Sequence, residues 1–259
     1  SSVSLKVKQL VSGLSELKQL GLSVSYFQVD LSNQSQLSGV AVKIKKSTDK
    51  LDGILVFSAM LRDSLLINQE SNDIKQVLSS KITAVNNIDE VFKSEPIDFM
   101  ILFSSLVGYL GNPGQSVYAA ANQYLDSYAE YRQRLYKQGN RFGHTVSIAW
   151  SLWAQSEAAS GDFLLNQLQA HHIGLIEDRT GYQALKQAMR LTRSSVVILP
   201  GQPEDSLNLL KNANQIEKSP KRAEDFSFNA ADEAVKGELC KDLLDLAVGL
   251  SSLKRTLHI

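Results

Sequence analysis

Three side chains able to act on one carbonyl group fall within residues 103–126, FSSLVGYLGNPGQSVYAAANQYLD: Ser105, Tyr118 thirteen positions later, and Asn122 four beyond that. Residues i and i+4 share a helix face, so Tyr118 and Asn122 can point into one site. A lysine, Lys81, lies 24 positions before Ser105 in VLSSKITAV. Reducing a carbonyl with hydride needs a proton donor at its oxygen. A phenol of pKa about 10 is a slow acid at neutral pH unless a cation lowers it, the task expected of Lys81. The Ser105 hydroxyl can hydrogen-bond the carbonyl oxygen, and the Asn122 amide can hold a water linking the lysine to solvent. Singly, these are ordinary helix and surface residues. As a set they share one task.

The elements that must position them alternate in period. Residues 5–20 read as an amphipathic helix, 22–29 as a short strand ending at Asp30, and 34–48 as a second helix. Residues 51–60 (LDGILVFSAM) and 97–106 (IDFMILFSSL) are apolar runs of the kind buried on both faces of a parallel sheet, with a helical pattern over 72–92 between them. A long helix is expected over 115–136, a strand over 144–151, a helix over 180–191 and a last strand over 194–200. This alternation predicts an α/β domain over residues 1–200, a doubly wound, Rossmann-like parallel sheet. Residues 201–234 read as a linker and 235–259 as a helical tail.

Composition narrows the classes. Lys and Arg total 27, as do Asp and Glu, so no overall field favours nucleic acid or an anionic membrane. One cysteine, Cys240, allows no internal disulfide, no Cys/His spacing suggests a metal site, and a reducing cytoplasm fits. The four histidines read as structural or solvated. No apolar run is long enough to span a bilayer, and the N-terminus lacks signal-peptide order.

The 103–126 segment resembles the active-site segment of ketoreductase domains in modular polyketide synthases, within the short-chain dehydrogenase/reductase superfamily. Further matches run in order: FQVDLSN at 27–33, LDGIL at 51–55, LRDS at 61–64, IDFMILFSS at 97–105 and SIAWSLWA at 147–154. The resemblance implies Tyr118 as general acid, Ser105 as oxyanion donor, Asn122 as proton-relay member, and Lys81 as modulator of Tyr118 and ligand of the nicotinamide ribose. It implies NADPH as cofactor, with Asp30 and Leu31 toward the adenine end, Ser58 and Ala59 alongside, and Trp150 and Ser151 facing the nicotinamide. The implied substrate is a β-ketoacyl thioester on an acyl carrier protein, met by Asp63, Leu110, Pro113, Gln115 and Trp153 and covered by a lid over 153–174. Neighbouring polyketide-synthase domains would be the other partners, and residues 235–259 resemble the opening helix of a carrier domain, though no DSL-type phosphopantetheine serine follows. Asp63 falls at the aspartate of the LxD motif of B-type reductases, which give a D-configured hydroxyl, and Leu110 where the opposite type carries Trp; alternatively Asp63 caps a following helix.

The chain departs from that pattern in two places. No glycine-rich turn precedes Gly53, where Gly13, Gly21 and Gly39 stand alone, and Gly108-x-x-Gly111-x-x-Gly114 has the wrong spacing for a dinucleotide fingerprint. The sheet is therefore expected to be incomplete on its N-terminal side, and the chain to be a fragment or to lack a segment. The family's H-x-A-G segment is also altered: one alignment sets Val56, Ser58 and Ala59 at its His, Ala and Gly, another sets Phe57-Ser58-Ala59 with Met60 in place of the glycine. A degenerate ketoreductase-like structural module, or a stand-alone short-chain dehydrogenase, are the alternatives.

Overall fold

The computed structural model describes residues 2–155 and 163–216. Four parallel strands, β1 (Gly53–Val56), β2 (Phe99–Ser105), β3 (His144–Trp150) and β4 (Ser195–Ile198), stand side by side in sequence order. Helices α1 (Ser2–Gln19) and α2 (Gln34–Ser47) precede the sheet. Between β1 and β2 run α3 (Ser71–Leu78) and α4 (Ala84–Val91), joined by a π-helical turn at Ser79–Thr83. The short α5 (Val107–Leu110) and long α6 (Ser116–Lys137) link β2 to β3, and α7 (Phe163–Ala170) and α8 (Asp178–Ala188) link β3 to β4. The expected Rossmann-like parallel α/β sheet is present.

Side-chain alternation assigns the two faces of the sheet. Met100 and Leu102 of β2 pack with Val85 and Ile88 of α4 and Leu125 and Ala129 of α6 in one buried cluster. Ile101, Val146, Ile148 and Trp150 turn the other way, against Ile176 and Ala188. The polar alternates of β3, Thr145 and Ser147, face α6 and are fully buried, a position tolerable only with hydrogen bonds. Each has one: Arg132 donates to the Thr145 hydroxyl at 2.7 Å, and Ser147 donates to Asp126 at 2.6 Å.

The strands expected over 22–29 and 51–60 are corrected. Residues 22–29 run extended up to Asp30 but join no strand ladder, because β1 pairs only with β2 and no described strand offers backbone partners on its outer side. The apolar run 51–60 is a strand only over β1, and its remainder is irregular. Within the stretch expected to be linker, a helix α9 (Pro203–Ile216) forms, and its Leu209 is only 1% exposed against Leu106, Leu164 and Ile173. The helical tail expected over 235–259 lies outside the described residues.

Asp89 of α4 joins three elements. Its carboxylate accepts from Arg132 Nε at 2.6 Å, from the Tyr128 hydroxyl at 2.9 Å and from Arg141 Nε at 3.0 Å. Arg132 also donates to the carbonyls of Phe142 and Gly143, so the turn into β3 is tied to α6. Removing one partner of such a buried pair strands a charge. Asp89→Ala is therefore expected to cost about 3–5 kcal/mol, read from the urea midpoint at constant slope; a loss under about 1 kcal/mol would show that Arg132 finds solvent instead.

Candidate active site

Ser105 ends β2 at its carboxyl edge, where parallel α/β sheets bind ligands. Its Oγ accepts from the Val107 amide at 3.3 Å, at the start of α5. Gly111 then stops α5 at φ +70°, a conformation glycine adopts without strain, and the chain returns into α6 carrying Tyr118. Across α6, Lys81 sits in the π-turn, whose wider winding shifts its side chain relative to a regular helix. Ser79 and Ser80 return their hydroxyls to the Gln76 and Val77 carbonyls within the same helix.

Lys81, Ser105 and Tyr118 thereby line one cavity of about 260 Å³, together with Ala59, Gln115, Trp150, Ser151 and Trp153. Lys81 is 2% exposed, and its Nζ donates to the Phe103 carbonyl at 2.9 Å and lies 5.6 Å from the centre of the Tyr118 ring. Burial pulls the lysine down to about 8, with Asp126 opposing. The Tyr118 phenol moves the other way. Burial raises it above its ordinary value, hydrogen bonding with the Asn122 and Ser105 side chains draws it partly back, and the Asp63 charge raises it further. Desolvation is thus the first influence on the phenol, with Lys81 set over its ring.

Asn122 does not line the cavity. Fully buried, it donates from Nδ2 to the Tyr118 carbonyl at 2.8 Å, and its Oδ1 has no hydrogen-bond partner among the described residues. An acceptor so placed beside Tyr118 suits a water. Asp63 caps no helix; its Oδ2 accepts from Gln115 Nε2 at 2.7 Å, and the Ser64 amide donates to the Gly114 carbonyl at 2.9 Å. Gln115 links Asp63 to the cavity wall. Leu110 packs behind Tyr118 with Leu106 and Val107, and Pro113 belongs to the loop between them, off the cavity lining. Of the lid, Trp153 bridges to Ile176 and Leu164 of α7 reaches the cavity, while residues 156–162 lie outside the described residues.

The cofactor-side positions divide. Ser58, Trp150 and Ser151 each carry a buried polar atom without a described partner (Oγ, Nε1 and Oγ); Trp150 and Ser151 line the cavity and retain capacity for a polar ring substituent, while Ser58 is off its lining. Asp30 and Leu31 lie away from the cavity. The Asp30 carboxylate accepts from the Ser32 amide at 2.9 Å and hydroxyl at 2.7 Å, which holds it below the usual carboxylate range. No glycine-rich turn appears among the described residues to cradle a pyrophosphate. Sequence reasoning missed the aromatic wall: Phe57 meets Phe103 in a tilted contact at 3.8 Å between ring centres, and Phe103 stacks on Trp150 at 5.5 Å. Phe103 stands two residues before Ser105 on β2, so strand alternation would have placed both on one side.

A family model described as KR domain matches residues 3–155. Polyketide synthase PksN of Bacillus subtilis (strain 168) is 37% identical over 190 residues, 73% of this chain and 3% of that protein. Polyketide synthase PksL of the same organism is 29% identical over 192 residues, 73% of this chain and 4% of that protein. The chain thus spans a few per cent of the length of these relatives. Among solved structures, a ketoreductase domain from the bacillaene assembly line superposes with a TM-score of 0.71 at 31% identity, covering 76% of this chain and 48% of that one. An N-terminal ketoreductase from the macrolactin assembly line gives 0.69 at 28% identity, covering 78% and 39%.

The cavity's outer wall rests on a close contact. A Cβ added at Gly181 of α8 would meet the Trp153 ring at 2.2 Å, too near for any rotamer adjustment of the indole in place. Gly181→Ala is expected to displace Trp153, at a cost of about 1–3 kcal/mol. Trp150 and Trp153 are the two tryptophans of the chain, with ring centres 5.1 Å apart, so the change should appear as altered intrinsic fluorescence. An unchanged emission spectrum would show that α8 shifts instead.

Proposed function

Since the chain belongs to the KR-domain family of polyketide synthases, we propose that it reduces the β-ketone of an acyl thioester carried on an acyl carrier protein. The observation that carries this reading is the convergence of Lys81, Ser105 and Tyr118 on one cavity at the carboxyl edge of the sheet. NADPH, when bound, supplies the hydride. Trp150 and Ser151 are the residues suited to hold its nicotinamide end, lining the cavity with polar atoms that are buried without described partners.

The chain's own residues handle the proton. Burial raises the Tyr118 phenol, so at neutral pH it is protonated and available as the acid. Ser105, which lines the same cavity as Tyr118, is positioned to donate to the same substrate oxygen and to stabilise the charge that gathers there. Lys81, charged below about pH 8, supports the phenolate left after transfer, and Asn122 offers Oδ1 to a water that can return the proton. Asp63, Leu110 and Gln115 support the B-type, D-hydroxyl outcome: Asp63 grips Gln115 at the cavity wall, and Leu110 leaves the tryptophan of the other type absent. Trp153 and Leu164 close the substrate side.

A second reading, a ketoreductase-like module kept for architecture, is favoured by Ala59 or Met60 standing at the glycine of the family's motif and by the lack of a phosphate-cradling turn among the described residues. One assay separates the two. NADPH consumption with a short β-ketoacyl thioester should fall by about 10²–10⁴ in Tyr118→Phe, with NADPH binding retained. Equal rates remove Tyr118 from the mechanism, and a parent protein that consumes no NADPH supports the architectural module.

A further inference from the structure

Behind the cavity lies a buried carboxylate that the mechanism above does not use. Asp126 stands on α6 one turn beyond Asn122 and two beyond Tyr118, on the same helix face. It is 5% exposed. Ser147 of β3 donates to its Oδ1 at 2.6 Å, while its Oδ2 has no hydrogen-bond partner among the described residues. The nearby Ser104 hydroxyl donates instead to the Asn122 carbonyl at 3.2 Å. A carboxylate confined in this way, with one oxygen unsatisfied, is costly unless a positive charge offsets it.

Lys81 is placed to be that charge: its Nζ is held on the carbonyl of Phe103, next to Ser104, whose hydroxyl donates to the Asn122 carbonyl one turn before Asp126. Of the groups facing Asp126 from the elements around it, Lys81 in the π-turn is the cation, Ser104 of β2 and Ser147 of β3 are neutral, Tyr109 of α5 is a phenol, and Glu130 on the same helix is a second acid. The two groups are electrostatically coupled without forming an ion pair among the described residues, and the Lys81 Nζ stays on the Phe103 carbonyl.

We propose that Asp126 is a positioning residue for the reductase site: held in place by Ser147, its negative charge keeps the buried ammonium protonated over Tyr118. This deepens the proposed reduction and depends on it only for its kinetic consequence. Two shifts agree with it. Burial lifts Asp126 to about 6, with the Ser147 hydroxyl and the Lys81 charge drawing it back. Lys81 stands at about 8, drawn down by desolvation with the Asp126 charge opposing. Across neutral pH the carboxylate is ionised and the lysine charged.

The test titrates Lys81 directly, through the 13Cε resonance of protein labelled with 13C-lysine and assigned by its loss in Lys81→Met. Asp126→Asn keeps the size of the side chain and an acceptor for Ser147 but removes the charge. The Lys81 midpoint is then expected to fall by roughly one unit, and the alkaline decline of kcat/KM for NADPH-dependent reduction to move down with it. An unmoved midpoint overturns the proposal, because a packing role alone leaves it in place. Should Asp126→Asn fail to fold, the unaltered protein decides: its Lys81 resonance should show a second inflection near pH 6, as Asp126 ionises, and a single-step curve overturns the proposal. A parent protein that consumes no NADPH defeats the reductase reading alone, since the titration needs no turnover.

Discussion

Burying a lysine ammonium is the constraint on which the rest of the site depends. An uncompensated charge in the interior costs several kcal/mol, and the usual relief is loss of the proton. Here the relief is partial. The Phe103 carbonyl takes one hydrogen bond, the Tyr118 ring faces the charge, and Asp126 opposes the desolvation. The helix between β1 and β2 departs from α geometry at this residue, widening to a π-turn so that Lys81 reaches inward past Ala84 and Val85, both fully buried. A regular helix would present a different side chain to the cavity.

The same constraint explains why β3 carries polar residues where a buried parallel strand ordinarily carries apolar ones. Thr145 and Ser147 anchor α6 at two points, through Arg132 and through Asp126. Tyr118 and Arg132 are fourteen positions apart on that helix, about 21 Å of rise. Held by hydrogen bonds at its middle and by the Asp89 ion pair further on, α6 cannot slide over the sheet without breaking both. The position of the phenol at one end is therefore set by contacts well away from it, and the apolar cluster with α4 completes the clamp.

Much of this could be read in advance, and the reasons differ by region. The strand–helix alternation and the i, i+4 relation of Tyr118 and Asn122 are local patterns, and local patterns survive folding. Lys81 came into view through its segment rather than its chemistry, since nothing in VLSSKITAV announces a π-turn. Asp126 continues the Tyr118–Asn122 face by one further turn, yet a lone aspartate on a helix reads as solvated until the strand beneath is known to offer a serine. Residues 22–29 have the composition of a strand, but ladder formation needs a neighbour and composition cannot supply one. The helix over Pro203–Ile216 was obscured by Pro203, which sits at its first position, where proline is tolerated. The Asp63–Gln115 contact joins loops 52 residues apart and has no local signature.

The upward direction at Tyr118 bears on what the lysine has to do. A phenol lowered toward neutrality would be a stronger acid but partly ionised, and an ionised phenol has no proton to give. A phenol raised by burial is fully protonated at neutral pH and transfers its proton only when the oxygen facing it gains charge. The proposed reaction provides that charge in its transition state, and the cation over the ring then meets a phenolate rather than a phenol. On this argument Lys81 contributes little to the resting acidity of Tyr118 and most of its effect after the proton has begun to move, which requires it to be charged at that moment. A lysine drawn down to about 8 meets that requirement at neutral pH with a narrow margin, and the Asp126 carboxylate is what keeps the margin open.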